Sequence, residues 1–262
     1  MNIQKYSGRM GAARLFVAIT SLAIAPVLIQ GVPAAADDKL EATQLVEKAR
    51  LTLQNFMCDD GMGAFRDLLK KADGVLIAPE VLKGAFLIGA SGGSGVFLVR
   101  DKKNNERWSE PAFYTMGSVS FGLQIGGQAS EVILLAMTDR GVRSLLGSSV
   151  KLGADVGVAA GPVGIGASAA TANLSADILS FSRSKGLYGG VSLDGAVVAV
   201  RGSLNNAFYG KEVSPADILI RHDAANPEAE RLTKAVARAT SKESAEMIKE
   251  CLARTPKEQY GG

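Results

Sequence analysis

From Ala72 to Arg221 the chain is interrupted by glycine every few residues, and this limits the possible folds more than any other feature of the sequence. A glycine inside a helix costs about 1 kcal/mol relative to alanine, so no long helix can run through such a segment. The stretches between glycines are short and rich in Val, Ile, Leu and Phe, the pattern of an antiparallel barrel or sandwich. Strands are predicted at Gly74–Ala78, Gly84–Ala90, Gly95–Arg100, Ser118–Ile125, Val132–Met137, Val150–Ala159, Val163–Ala170, Ile178–Ser182, Leu187–Leu193 and Gly195–Val200, with a short helix at Asp139–Leu146. Glycine at this density inside strands marks bulges, bends or close backbone approach. The uncharged stretch between Asp155 and Asp177 is too glycine-rich for a membrane helix and reads as a hairpin turning at Gly161-Pro162.

The flanks have a different texture. Between Asp37 and Met57, Ala42, Leu45, Val46, Ala49, Leu53 and Phe56 fall on one helical face, with Asp37 or Asp38 as N-cap. Met62–Lys71 reads as a second helix. Beyond Ala225 the chain turns helical again, starting at Asn226-Pro227 and resuming from Ser241 to Leu252. The fold class is therefore α+β, a glycine-rich antiparallel β-barrel or sandwich flanked by N-terminal and C-terminal helices. Cys58 and Cys251 are the chain's two cysteines, read either as a disulfide or as two buried thiols.

Ahead of these elements, Lys5, Arg9 and Arg14 precede an apolar run from Leu15 to Ile29, and Ala34 and Ala36 fit the small-residue rule for cleavage before Asp37. Residues 1–36 are read as a cleavable export signal, which makes the protein periplasmic or secreted. The organisation is then 1–36 signal, 37–221 domain (37–71 helical, 72–221 β-rich) and 222–262 helical tail. The formal charge of +3 belongs entirely to the three basic residues of the leader, leaving 26 Lys+Arg against 26 Asp+Glu. With a balanced charge and no basic stripe carrying interleaved aromatics, nucleic acid is excluded as a partner.

Catalytic motifs fail on context. Gly89-Ala90-Ser91-Gly92-Gly93 matches G-x-S-x-G, but the elbow needs a helix after the serine and Val96-Phe97-Leu98-Val99 is a strand pattern. A triad would rest on His222, the single histidine. One histidine and two distant cysteines make no zinc site, and no phosphate-binding loop is present, so no catalytic residue, metal or cofactor is expected.

Several long motifs remain, in one order: Lys83-Gly84-Ala85-Phe86-Leu87-Ile88-Gly89-Ala90-Ser91-Gly92-Gly93-Ser94-Gly95-Val96, then Trp108-Ser109-Glu110-Pro111, Val150 to Asp155, Ala160 to Gly164, Ser182 to Gly195, Phe208-Tyr209-Gly210 and Asp217-Ile218-Leu219. Together they resemble the SYLF domain over roughly Asp38 to Arg221. That family occurs in bacterial exported proteins and in eukaryotic endocytic proteins. The resemblance implies a non-enzymatic module that binds phosphoinositide-like anionic phospholipid at a membrane surface, with an N-terminal amphipathic helix contributing. Actin or an envelope protein is the alternative partner. On this resemblance the headgroup contacts fall to Lys39, Lys48 and Arg50 on the helix and to Lys83, Arg183 and Lys185 in the β-region; the tail from His222 onward lies outside the resemblance and is expected either to close the barrel or to pack on the N-terminal helices, with Cys251 meeting Cys58.

Overall fold

The computed structural model describes residues 34–85, 88–103, 107–121, 126–164, 175–184, 187–190 and 193–254. The signal-like residues 1–33, the outer part of the strand predicted at Val163–Ala170, and Lys185 lie outside the described residues.

The first helix, α1, spans Ala34–Met57. It begins before the predicted caps, so Asp37 sits in its first turn, where a carboxylate complements the helix dipole. All six residues of its apolar face, Ala42, Leu45, Val46, Ala49, Leu53 and Phe56, are buried. The half-buried Arg66 guanidinium closes its C-terminus by donating to the carbonyls of Met57 (3.2 Å) and Asp59 (2.5 Å). A 3-10 turn at Asp60–Met62 leads into α2, Gly63–Leu69. The last carbonyls there are capped by Arg100, which donates to Leu69, Lys70 and Ala72 and lies 4.6 Å from the centre of the Trp108 ring.

Nine strands follow: β1 Gly74–Ala85, β2 Ile88–Val99, β3 Ala112–Phe121, β4 Gly126–Ala136, β5 Ser149–Lys151, β6 Val158–Ala160, β7 Ile178–Ser184, β8 Leu187–Gly190 and β9 Val197–Val200. They form one curled sheet in the order β5-β9-β3-β2-β1-β4-β7-β6, with β8 beside β7. Three expectations are corrected. Val150–Ala159 is not one strand but holds β5 and β6, at opposite ends of the sheet order. Gly84–Ala90 is not one strand, because its ends belong to β1 and β2, which pair antiparallel with Ala85 opposite Gly89. Nor is Gly161-Pro162 the turn of an antiparallel hairpin: β6 runs parallel to β7, so the sheet is mixed. The Gly161 backbone lies against the Phe181 ring, which would stand 2.2 Å from an added Cβ.

Alternation along the central strands buries both faces. Val75, Ile77, Val96, Leu98, Phe113, Ile133, Leu135, Leu179 and Phe181 face α1, α2 and the later helices. Leu76, Ala78, Phe97, Tyr114, Leu134 and Ile178 face inward. There they meet Val142 and Leu145, from the turn around α3 (Asp139–Ser144), and Ile218 and Leu219, from a π-type turn at Asp217–Arg221. A fourth helix, α4 Gly202–Tyr209, carries the buried Asn205, whose side chain accepts from the Phe113 N–H (2.9 Å) and donates to its carbonyl (3.4 Å). The Asn226 side chain accepts from the Glu228 N–H and starts the tail, with α5 at Glu230–Thr240 and α6 at Ser244–Arg254. Leu232, Val236 and Ala239 of α5 join the core beneath α1, and the Cys58 and Cys251 sulfurs are bonded, with Cα atoms 5.3 Å apart.

Candidate functional site

Past Pro79 the sheet changes character. A bulge at Ala78-Pro79-Glu80 shifts the register of β1 against both neighbours, a position where proline is tolerated because no ladder N–H is lost. Gly93 sits opposite this bulge, where a Cβ would stand 2.2 Å from the Glu80 carbonyl oxygen. Beyond it β1, β2, β3 and β4 continue to the far end of the sheet, where Ala85 pairs with both Gly89 and Gly126 and Ile88 pairs with Phe121.

This end is two-sided. On the face shared with α1, the register sets Ala129, Leu82, Gly92, Gly117, Val197 and Lys151 in one row across six strands. Gly127, Gly84, Ala90 and Val119 form the next row. Among the described residues no helix covers these three side chains: Leu82 is 56% exposed, Val119 69% and Val197 42%. On the inner face, Lys83 lies opposite Ser91 and Gln128, and Ser91 lies opposite Ser118, the two hydroxyls 2.8 Å apart. Gln128 donates to Ser184. Lys83 is exposed, and among the described residues no carboxylate pairs with it.

The other predicted contacts fall elsewhere. Lys39 is exposed on the first turns of α1. Lys48 points into a groove of about 230 Å³ between α1 and the bulge, 4.0 Å from Glu80. Arg50 is held by Glu47 at 2.6 and 2.9 Å, an ion pair that lowers the Glu47 carboxyl below its usual range. Arg183 is bound to Glu131 at 3.0 Å, and the other oxygen of Glu131 accepts from Thr52 (3.1 Å) and Asn55 (3.2 Å) of α1. Arg183 thus ties the sheet to the helix. The five described residues, Lys39, Lys48, Arg50, Lys83 and Arg183, are not gathered into one site, and the apolar face of α1 is buried in the core.

Ser91 lies mid-strand with Ser118 as its hydroxyl neighbour, so no nucleophile elbow exists there. His222 instead lines a cavity of about 430 Å³ with Arg107, Trp108, Glu110 and Lys234. Burial pushes the Glu110 carboxyl up, against the opposing pull of the Asn226 N–H and Arg107. Trp108 is 5% exposed and donates its indole N–H to Thr240 at 3.1 Å, the packed corner its sequence context implies. Among the described residues no group of three His, Cys, Asp or Glu side chains is placed to hold a metal, and no helix is long and apolar enough to cross a membrane.

Among the described residues, the curled, two-cored sheet ends in an amphipathic patch whose Leu82, Val119 and Val197 no helix covers. The family described as "Ysc84: Las17-binding protein actin regulator" matches residues 117–239. Protein YSC84 of Saccharomyces cerevisiae is 34% identical over 172 residues, 64% of this chain and 36% of that protein. LAS seventeen-binding protein 3 of the same yeast is 34% identical over 157 residues, 58% of this chain and 34% of that protein. SH3 domain-containing YSC84-like protein 1 of Homo sapiens is 32% identical over 154 residues, 58% of this chain and 44% of that protein. The chain belongs to the SYLF (Ysc84) domain family. It spans between a third and a half of the length of these curated relatives, which are named for what they bind or resemble and not for a reaction.

Proposed function

We propose that this protein is an exported, non-enzymatic module that binds anionic phospholipid surfaces. The observation that carries the reading is the inner row of the glycine-rich end, where Lys83 stands without a carboxylate partner among the described residues and is flanked by Ser91, Ser118 and Gln128. An ammonium with neighbouring hydroxyl and amide donors suits a phosphodiester, which accepts hydrogen bonds through its charged oxygens. A lysine near an anionic surface contributes about 1 kcal/mol, and the effect falls off within a Debye length. Binding to phosphatidylglycerol vesicles should therefore be strong at low salt and weak at high salt. Co-sedimentation of the purified protein with anionic and zwitterionic vesicles tests this, and failure to pellet with any anionic vesicle at low salt would refute it.

The names of the relatives favour a second reading, in which the same domain meets a protein of the actin-regulating machinery or an envelope protein. Co-sedimentation with actin filaments, without lipid, separates the two.

A further inference from the structure

Of the large apolar side chains left exposed, Leu82, Val119 and Val197 share one face of the glycine-rich end. Among the described residues, packing requires Gly117 in this patch, where a Cβ would stand 3.3 Å from the Ser91 carbonyl, but not Gly84, Gly92 or Gly127. A Cβ at Gly84 would meet nothing within 4 Å, at Gly127 the nearest atom is 4.0 Å away and at Gly92 3.7 Å, and none of the three has a positive φ. Among the described residues neither packing nor backbone conformation excludes side chains at Gly84, Gly92 and Gly127.

We propose that this end of the sheet lies flat in the interfacial layer of a bilayer, with the Leu82, Val119 and Val197 face toward the acyl chains and the Lys83, Ser91 and Ser118 row at the level of the phosphates. The inference rests on the phospholipid reading above and names the surface and its orientation. A sheet with side chains on both faces is about 10 Å thick, the distance at which sheets stack. The headgroup layer on each side of a bilayer is about 5–7 Å deep, and interfacial amphipathic elements sink their apolar face about 5–10 Å. A single uncovered sheet therefore spans the layer, apolar side down and cationic side up. The lysine stem reaches back toward the phosphates as it does at helix ends in membranes. Charge supports the same occupant: Lys151 closes the apolar row beside Val197 at the sheet edge and is exposed, so a cation borders the apolar face as well as backing it. In contrast, the apolar face of α1 is buried in the core, and Leu40 and Leu51 are the large apolar side chains that the helix leaves exposed.

Two variants test the surface. Gly84→Asp places a carboxylate on the apolar face where there is room for it, and is expected to weaken binding to phosphatidylglycerol vesicles at least tenfold with an unchanged thermal melt. Val119→Trp, read against the parent with its buried Trp108, is expected to show a blue-shifted emission quenched by lipids brominated on the acyl chain. If the parent binds vesicles but Val119→Trp is not quenched and Gly84→Asp binds as tightly, this surface is wrong while the phospholipid reading stands. If the parent binds no anionic vesicle, both fall. If instead Gly84→Asp dissolves a dimer of the parent, the face belongs to a second copy and the proposal is overturned. Should Gly84→Asp fail to fold, the quenching result decides alone.

Discussion

Replacing Arg183 with alanine should damage the fold and spare the membrane. Arg183 and Glu131 have side chains 33% and 22% exposed, and their contact is one bond of a network that also draws Thr52 and Asn55 of α1 onto the same carboxylate. Hydrogen bonds to charged groups contribute about 1.5–3 kcal/mol, and the truncation leaves Glu131 half-buried with only neutral donors. For a domain of this size each kcal/mol shifts Tm by about 2–4 °C, so a fall of roughly 3–12 °C is expected. Pairing Arg183→Ala with Glu131→Gln in a double-mutant cycle should show a coupling of about 1–2 kcal/mol, because the two changes remove the same bond. The assay is thermal or urea unfolding followed by circular dichroism, alongside vesicle co-sedimentation below the melting range. A variant that melts within a degree of the parent yet loses vesicle binding would refute the assignment and restore Arg183 as a headgroup ligand.

Further outcomes follow from the same structure. Gly161→Ala should cost about 1–3 kcal/mol, because its Cβ would press 2.2 Å from the buried Phe181 ring, whereas Gly84→Ala should be near neutral; a urea titration compares them. A non-reducing peptide map should contain one cross-linked species holding Cys58 and Cys251, and two alkylatable thiols without reductant would contradict it. Glu110 has a folded pKa raised by burial, so the folded state holds its proton more tightly and the group lowers stability as pH rises from the unfolded carboxylate value through the folded one. Glu110→Gln should accordingly gain Tm relative to the parent at pH 7 and not at pH 4; an equal difference at both pH values would count against this.

What the sequence disclosed depended on how local the determining contact was. The face of α1 and the existence of the sheet were legible because periods near 3.6 and 2 are written in neighbouring residues. The β1–β2 turn was not, since Phe86-Leu87-Ile88 extends the apolar pattern through the reversal and only the pairing of Ala85 with Gly89 reveals it. The helix α4 was missed because Gly202-Ser203-Leu204-Asn205-Asn206 carries loop-like residues, and its anchor is the long-range bond from Asn205 to Phe113. The same limit governed the site. Arg50 and Arg183 look like free cations in one dimension, but Glu47 and Glu131 hold them. An amphipathic pattern identifies an apolar face without saying what covers it, so α1 passed for a membrane helix. The uncovered face was also present, as the alternation Gly117-Ser118-Val119-Ser120-Phe121 beside Leu82-Lys83-Gly84, but its meaning required the register that sets four strands side by side.

Hydrogen–deuterium exchange of the protein free and bound to phosphatidylglycerol vesicles tests the account most directly. Slowed exchange is expected in peptides covering residues 81–92, 115–121 and 126–130, with α1 unchanged because its apolar face is already in the core. Protection concentrated in residues 34–57, with the glycine-rich strands unaffected, would contradict it.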